Sequence, residues 1–167
     1  MPDAVTSEAT TSVLFVCLGN ICRSPMAEGI FRHLLDEGDP AHRIHVDSAG
    51  TGAWHVGEPP DDRAAAVAAR HGVALSGAAR RLEAEDLHRF DYVVAMDRQN
   101  LEDIHALADT AGVTAHVHLL RDFDPAADGA RGRDVPDPYF GGAGGFEAVY
   151  QMIHRSCEAL LEHLRHG

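Results

Sequence analysis

Cys17 is followed by Arg23 and Ser24 in the run Cys17-Leu18-Gly19-Asn20-Ile21-Cys22-Arg23-Ser24. A thiol, a guanidinium and a hydroxyl at this spacing suit one kind of chemistry, the capture of an oxyanion and attack on its central atom. The guanidinium grips two oxygens of a phosphoryl group at once, which a lysine ammonium cannot do. Gly19 is expected to let the backbone curl, so that successive N–H groups of residues 18–24 form an anion nest. Donors that hold an anion also favour a thiolate over a thiol, and the Ser24 hydroxyl can donate to it. A thiolate beneath a bound phosphoryl group is a nucleophile in line with the leaving oxygen.

Such a loop works only if a strand and a helix hold its ends. Val13 to Val16 is a short continuous apolar run, the mark of a strand buried on both faces. Pro25 suits the first turn of a helix, and Met26, Ala27, Ile30, Phe31, Leu34 and Leu35 form a helical stripe behind it. The loop therefore lies between the first strand and the first helix, where free N–H groups and the helix dipole favour an anion. Further strands are predicted over Arg43–Asp47, Tyr92–Met96 and His116–Leu120. Helices are predicted from Pro59 to Gly72, over Ala84–His88, over Arg98–Ala108, and along the stripe from Phe146 to Leu164. Alternating strands and helices imply a three-layer α/β fold, a four-stranded parallel sheet flanked by helices on both faces. Residues 121–140 read as a long loop carrying Asp122, Asp124, Asp128, Asp134 and Asp137, and a loop of that length is commonly functional.

The chain has 167 residues, enough for one domain, expected over 13–167 behind a disordered tail at 1–12. Its formal charge is −12, and all 14 of its basic residues are arginine, which argues against a general nucleic-acid binder. No apolar run approaches the ~18 residues that span a bilayer, and no signal-peptide pattern opens the chain. Three cysteines, an odd and sparse number, do not form a disulfide framework, so a cytoplasmic location is expected, with export independent of a signal peptide left open. His116 and His118 alternate on a predicted strand and read as its surface rather than as metal ligands.

The run from Val13 to Glu28 resembles the signature of the low-molecular-weight protein tyrosine phosphatases. Asp137-Pro138-Tyr139-Phe140-Gly141 is similar to that family's acid loop, and Asp47-Ser48-Ala49-Gly50-Thr51 and Gly57-Glu58-Pro59-Pro60-Asp61 also fit, in the family's order, over residues 13–166. The resemblance implies hydrolysis of phosphotyrosine in protein substrates through a phosphocysteine intermediate, without a cofactor, and nothing in the sequence calls for a metal or for more than a monomer. It makes Cys17 the nucleophile and Arg23 the phosphate clamp. Leu18, Gly19, Asn20, Ile21, Cys22 and Ser24 complete the phosphate loop. Asn20, Ser24 and Ser48 support the loop, and Ile21, Trp54, Tyr139 and Phe140 wall the substrate. The five aspartates of the long loop are equivalent by composition, and only the resemblance selects Asp137 as the acid that protonates the leaving phenolate and then activates water. In many relatives a histidine follows the serine of the segment Leu75-Ser76-Gly77. Here Gly77 stands in its place, which leaves the support behind Asn20 and Ser48 in question.

Other chemistries fit less of the chain. Arsenate reduction on the same scaffold needs downstream thiols, and no cysteine lies between Cys22 and Cys157, which itself falls on an apolar helical stripe. Relatives that hydrolyse phosphoarginine carry a threonine where Ile21 stands. A thiol–disulfide redox protein uses a C-x-x-C pair, not the spacing of Cys17 and Cys22. A binding module without activity would have lost Cys17, Arg23 or the acid. Cys22 has two open readings, a packing residue under the loop or a redox partner that traps oxidised Cys17.

Overall fold

The structure, a computed structural model, describes residues 11–38, 43–112, 115–127, 133–139 and 143–166. Strand β1 (Thr11–Cys17) leads into helix α1 (Arg23–Gly38), then β2 (Ile44–Gly50), α2 (Asp62–Arg70), the single turn α3 (Asp86–Arg89), β3 (Tyr92–Ala95), α4 (Arg98–Ala111), β4 (His116–Leu119) and the long α5 (Ala143–His166). The four strands form one parallel sheet in the order β2-β1-β3-β4. The chain steps from β1 to β2 on one side and then to β3 on the other. That reversal opens a crevice at the carboxyl end of β1, the usual ligand position in open α/β sheets.

The apolar run of β1 becomes the central strand because both of its faces are covered. Val13, Leu14, Phe15 and Val16 have no solvent exposure. Val13, Phe15 and Cys17 face a cluster with Ile30 and Phe31 of α1, Val67 of α2, and Ile153 and Leu160 of α5. Leu14 and Val16 face the opposite cluster, with Leu87 of α3 and Ile104 of α4. The expected three layers are therefore present, with α1, α2 and α5 on one face of the sheet and α3 and α4 on the other.

Most element ends shift by a few residues from the sequence reading, β2 running on to Gly50 and α2 starting at Asp62 rather than Pro59, and three differences bear on the site. β1 starts at Thr11, inside the segment expected to be tail. Pairing holds it there: Thr11 N–H donates to Arg43 O at 2.9 Å, and Ser12 N–H donates to Asp91 Oδ2 at 2.9 Å. α1 starts at Arg23, so Arg23 and Ser24 belong to its first turn rather than to the loop before it. The long loop is anchored. A 3₁₀ turn spans Leu120–Asp122, and Val135, fully buried, donates its N–H to Met96 O at 2.8 Å.

Candidate active site

The loop from β1 to α1 is bound from behind. Thr51, Gly52, Asp61 and Met26 donate their N–H groups to the carbonyls of Cys17, Leu18, Ile21 and Cys22 at 2.8–3.1 Å. A trans peptide sets its N–H opposite its carbonyl. With those carbonyls turned outward, the N–H groups of Leu18, Gly19, Cys22 and Arg23 are turned toward the other side. On that side lies a cavity of about 110 Å³ lined by Cys17, Leu18, Gly19, Ile21, Cys22, Arg23, Trp54, His55, Asp137 and Tyr139.

The curl occurs at Asn20, not at Gly19. Asn20 has φ 59°, and among the described non-glycine residues it alone has a positive φ. Asparagine is among the residues that tolerate this region. Its side chain is fully engaged: Nδ2 donates to Ser24 Oγ at 2.8 Å and to Ser48 Oγ at 3.0 Å, and Oδ1 accepts from Arg80 N–H at 3.0 Å. Gly19 matters through its size, since a Cβ there would stand 3.0 Å from His55 Cδ2. Gly50, paired with Cys17 in the sheet, lets β2 pass under the loop, where a Cβ would come within 2.7 Å of Leu18 O.

Cys17 is 2% exposed, with Sγ 3.0 Å from Ser24 Oγ and accepting Asn20 N–H at 3.3 Å. Because Ser24 Oγ already accepts from Asn20, its one proton is free for Cys17, closer than Ala49 O at 3.5 Å. Arg23 is buried beside it. Nη1 donates to Asp97 Oδ2 at 2.7 Å and to Val135 O at 2.9 Å, and Nη2 stands 3.6 Å from Asp137 Oδ2. Burial works against the charge on Arg23, but Cys17, Asp97 and Asp137 outweigh it and push its pKa up. Cys22 is the opposite case. Burial above all, then the neighbouring Asp61, pushes its thiol up to about 12, so near neutral pH it is a protonated thiol.

The loop aspartates are no longer equivalent. Asp122 binds Leu119 N–H and Arg133, Asp124 binds Arg121 and Arg155, and Asp134 binds Arg98. Asp128 lies outside the described residues. Asp137 alone of the described four lines the cavity. Tyr139 and Trp54 line it as well, with Trp54 72% exposed at the rim, whereas Phe140 lies outside the described residues.

Beside Gly77 there is a polar cavity of about 130 Å³, lined among others by Asn20, Glu28, Ser48 and Gly77. The support is nevertheless closed. Ser48 accepts from Asn20 and donates to Glu28 Oε1 at 2.6 Å, and Glu28 accepts from Arg32 at 2.7 Å. Glu28, Arg80, Asp97 and His55 were not singled out in the sequence. The local signal for Asp97 is its place as N-cap of α4, where Oδ1 accepts Asn100 N–H at 2.8 Å.

A buried thiol at a loop of inward-turned amides, with a buried arginine beside it and a carboxylate across the cavity, makes a site suited to oxyanion esters on an open parallel sheet. The chain belongs to the low molecular weight phosphotyrosine protein phosphatase family, whose profile matches residues 12–167. It is 47% identical over 156 residues to a low molecular weight protein-tyrosine-phosphatase of Streptomyces coelicolor, covering 93% of this chain and 94% of the relative. The crystal structure of YfkJ from Bacillus subtilis superposes with a TM-score of 0.84 at 43% identity, covering 93% of this chain and 95% of that one. That of an arginine phosphatase from Drosophila gives 0.85 at 38% identity, covering 92% and 97%.

Proposed function

We propose that this chain hydrolyses phosphotyrosine in proteins, and small aryl phosphates, through a phosphocysteine intermediate. The observation that carries the reading is the convergence of Cys17, Arg23 and Asp137 on one cavity floored by the curled loop. The phosphoryl oxygens bind Arg23 and the inward N–H groups, and Cys17 Sγ attacks phosphorus as the phenolic oxygen leaves. Asp137 gives that oxygen its proton, then takes one from the water that releases phosphate from Cys17. Ser24 and the Asn20 N–H hold the thiolate before attack and receive it back afterwards. A phosphoprotein is the expected partner, and the sparse, odd set of three cysteines suits work in the cytoplasm.

The likeness to an arginine phosphatase makes phosphoarginine the second reading. Ile21, buried and on the cavity wall, favours an aryl group over a guanidinium. Arsenate reduction has less support, because Cys157 is fully buried in the core against α1 and burial pushes its thiol up. Redox control through Cys22 also belongs to this reading. Its protonated thiol would condense with a Cys17 sulfenic acid, releasing water, at a rate limited by its small thiolate fraction.

The deciding assay is hydrolysis of a phosphotyrosine peptide and of para-nitrophenyl phosphate with a chelator present. Both are expected to be turned over, and Cys17→Ser is expected to lose at least about 10² in kcat while still binding inorganic phosphate. Turnover by Cys17→Ser above about one per cent of the parent, short of that loss, counts against the mechanism.

A further inference from the structure

We infer that Arg63, on the first turn of α2, is a positioning residue that holds the Asp137 loop over the phosphate loop. The inference rests on Asp137 as the proton donor. Arg63 Nη1 donates to Tyr139 O at 3.0 Å, and Tyr139 N–H donates back to Asp137 Oδ1 at 3.0 Å. The Tyr139 backbone is thus gripped at both ends, by Arg63 on one side and by the acid itself on the other. The guanidinium also lies over two rings, with Cζ 5.2 Å from the centre of Tyr139 and 4.7 Å from that of Phe146 on α5. Cation–π contact at these distances fixes the plane of the group as well as its place.

Its other edge is fixed on the phosphate-loop side. Asp61 accepts from Arg63 N–H at 2.9 Å, from Nε at 3.1 Å and from Nη2 at 3.1 Å. The hydrogen bonds from Arg63 lead the causes that hold the Asp61 carboxyl below the usual range. Asp61 N–H in turn donates to Ile21 O at 2.8 Å, one of the outward carbonyls that set the curl of the loop. An unbroken path therefore runs from Ile21 through Asp61, Arg63 and Tyr139 to the Asp137 carboxyl. The Asp137 oxygens must stay on the leaving-group side of the cavity. Among the described residues the other anchors lie before the acid, at Asp134 on Arg98 and Arg121 and at Val135 on Met96, or reach it across 3.6 Å from Arg23.

A tether of this kind acts chiefly on proton transfer. The bond from Asp61 to Ile21 O is made by the backbone N–H, which side-chain changes at Asp61 and Arg63 keep, so phosphate binding and attack by Cys17 are left in place. The test is a leaving-group series on the full chain, from phenyl phosphate to para-nitrophenyl phosphate, for Arg63→Met, Asp61→Asn and Asp137→Asn. Asparagine keeps the N-cap of α2 but gives up the charge that orients Arg63. For Arg63→Met the expected loss in kcat is about tenfold on phenyl phosphate, inside the ~10² that a 1 Å misplacement can cost. On para-nitrophenyl phosphate little loss is expected, with inhibition by inorganic phosphate unchanged. Asp61→Asn is expected to show the same trend, more weakly, and it carries the test should Arg63→Met fold poorly. Equal losses on all substrates, or none, with Asp137→Asn still steeply dependent on the leaving group, would overturn the tether alone. A flat series for Asp137→Asn would overturn the tether and the assignment of the acid together.

Discussion

Two buried arginine–aspartate clusters stand at the carboxyl ends of strands β1 and β4, with β3 between them, and they differ in what they leave unused. Beyond β4, Asp124 has no exposed side-chain surface and accepts from Arg155 Nε at 2.8 Å and Nη2 at 3.1 Å, from Arg121 Nε at 3.0 Å and from Ala126 N–H at 2.9 Å. Four donors saturate its two oxygens, and the cluster joins the stretch after β4 to the middle of α5. Beyond β1, Arg23 spends Nη1 on Asp97 and Val135 O, while Nη2 lies by the cavity, 3.6 Å from Asp137. The first cluster is closed and can only hold the fold together. The second is closed on one side and open on the other, so a ligand's oxygens can complete it. The same pair of side chains thus serves as a fastener or as a binding group, depending on whether the protein itself supplies every partner.

That contrast is best broken by paired substitutions. Arg23→Met is expected to lower kcat/KM on an aryl phosphate by about 10³, with a small change in melting temperature, because Asp97 remains partly solvated and keeps its capping role. Asp124→Ala is expected to do the reverse. It strands the buried Arg121, a loss of about 3–5 kcal/mol for breaking a buried pair, equivalent to a fall of roughly 10 °C or more in a domain of this size. Its kcat well below the transition should stay close to that of the parent. A large activity loss in Asp124→Ala at temperatures where it is folded would show that the fastener also shapes the site.

A smaller effect lies in the acid dependence of stability. Burial alone would raise the Asp124 carboxyl, but the hydrogen bonds from Arg155, Ala126 N–H and Arg121 together hold it below its ordinary value. A lowered folded-state pKa contributes stability that is present above the unfolded value of about 3.9 and is lost as pH falls through the folded one. Denaturant unfolding of the parent should therefore weaken below about pH 4, the ordinary aspartate range, and Asp124→Asn should show a shallower slope there. Equal slopes would place the acid sensitivity in other carboxylates.

The smallest effect concerns selectivity on the open side. Ile21→Thr is expected to shift the ratio of kcat/KM for phosphotyrosine and phosphoarginine about tenfold toward phosphoarginine, the scale of one changed wall group. An unchanged ratio, measured with both substrates on one preparation, would remove Ile21 as the selector.

Much of this was legible in the sequence because it is local. The apolar run of β1, Pro25 and the helical stripe behind it placed the loop between a strand and a helix. The spacing of Cys17, Arg23 and Ser24 then placed the three groups within one turn. The 3-and-4 spacing around Cys157 marked it as core, where it lies fully buried. Gly19 misled for an equally local reason. Glycine is the usual residue at a positive φ, but here Asn20 takes it, since its side chain gains three hydrogen bonds to Ser24, Ser48 and Arg80 N–H that glycine lacks.

The sequence by itself determined the groups on offer: a thiol, a guanidinium and a loop able to cradle an anion, all within eight consecutive residues whose geometry backbone rules constrain. Composition left five aspartates equivalent, the family resemblance alone singled out Asp137, and neither spoke of Asp97, Glu28 or Arg63 as partners of the site. Those choices belong to the tertiary structure because they depend on strand order. Placing β3 beside β1 sets Asp97 and Val135 against Arg23, residues 74 and 112 positions away along the chain. The same packing lays the first turn of α2 against the 137–139 segment, 76 positions from Arg63 to Tyr139. Contacts between residues so far apart leave no periodicity or spacing in the chain, so they become readable only once the sheet has brought the strand ends together.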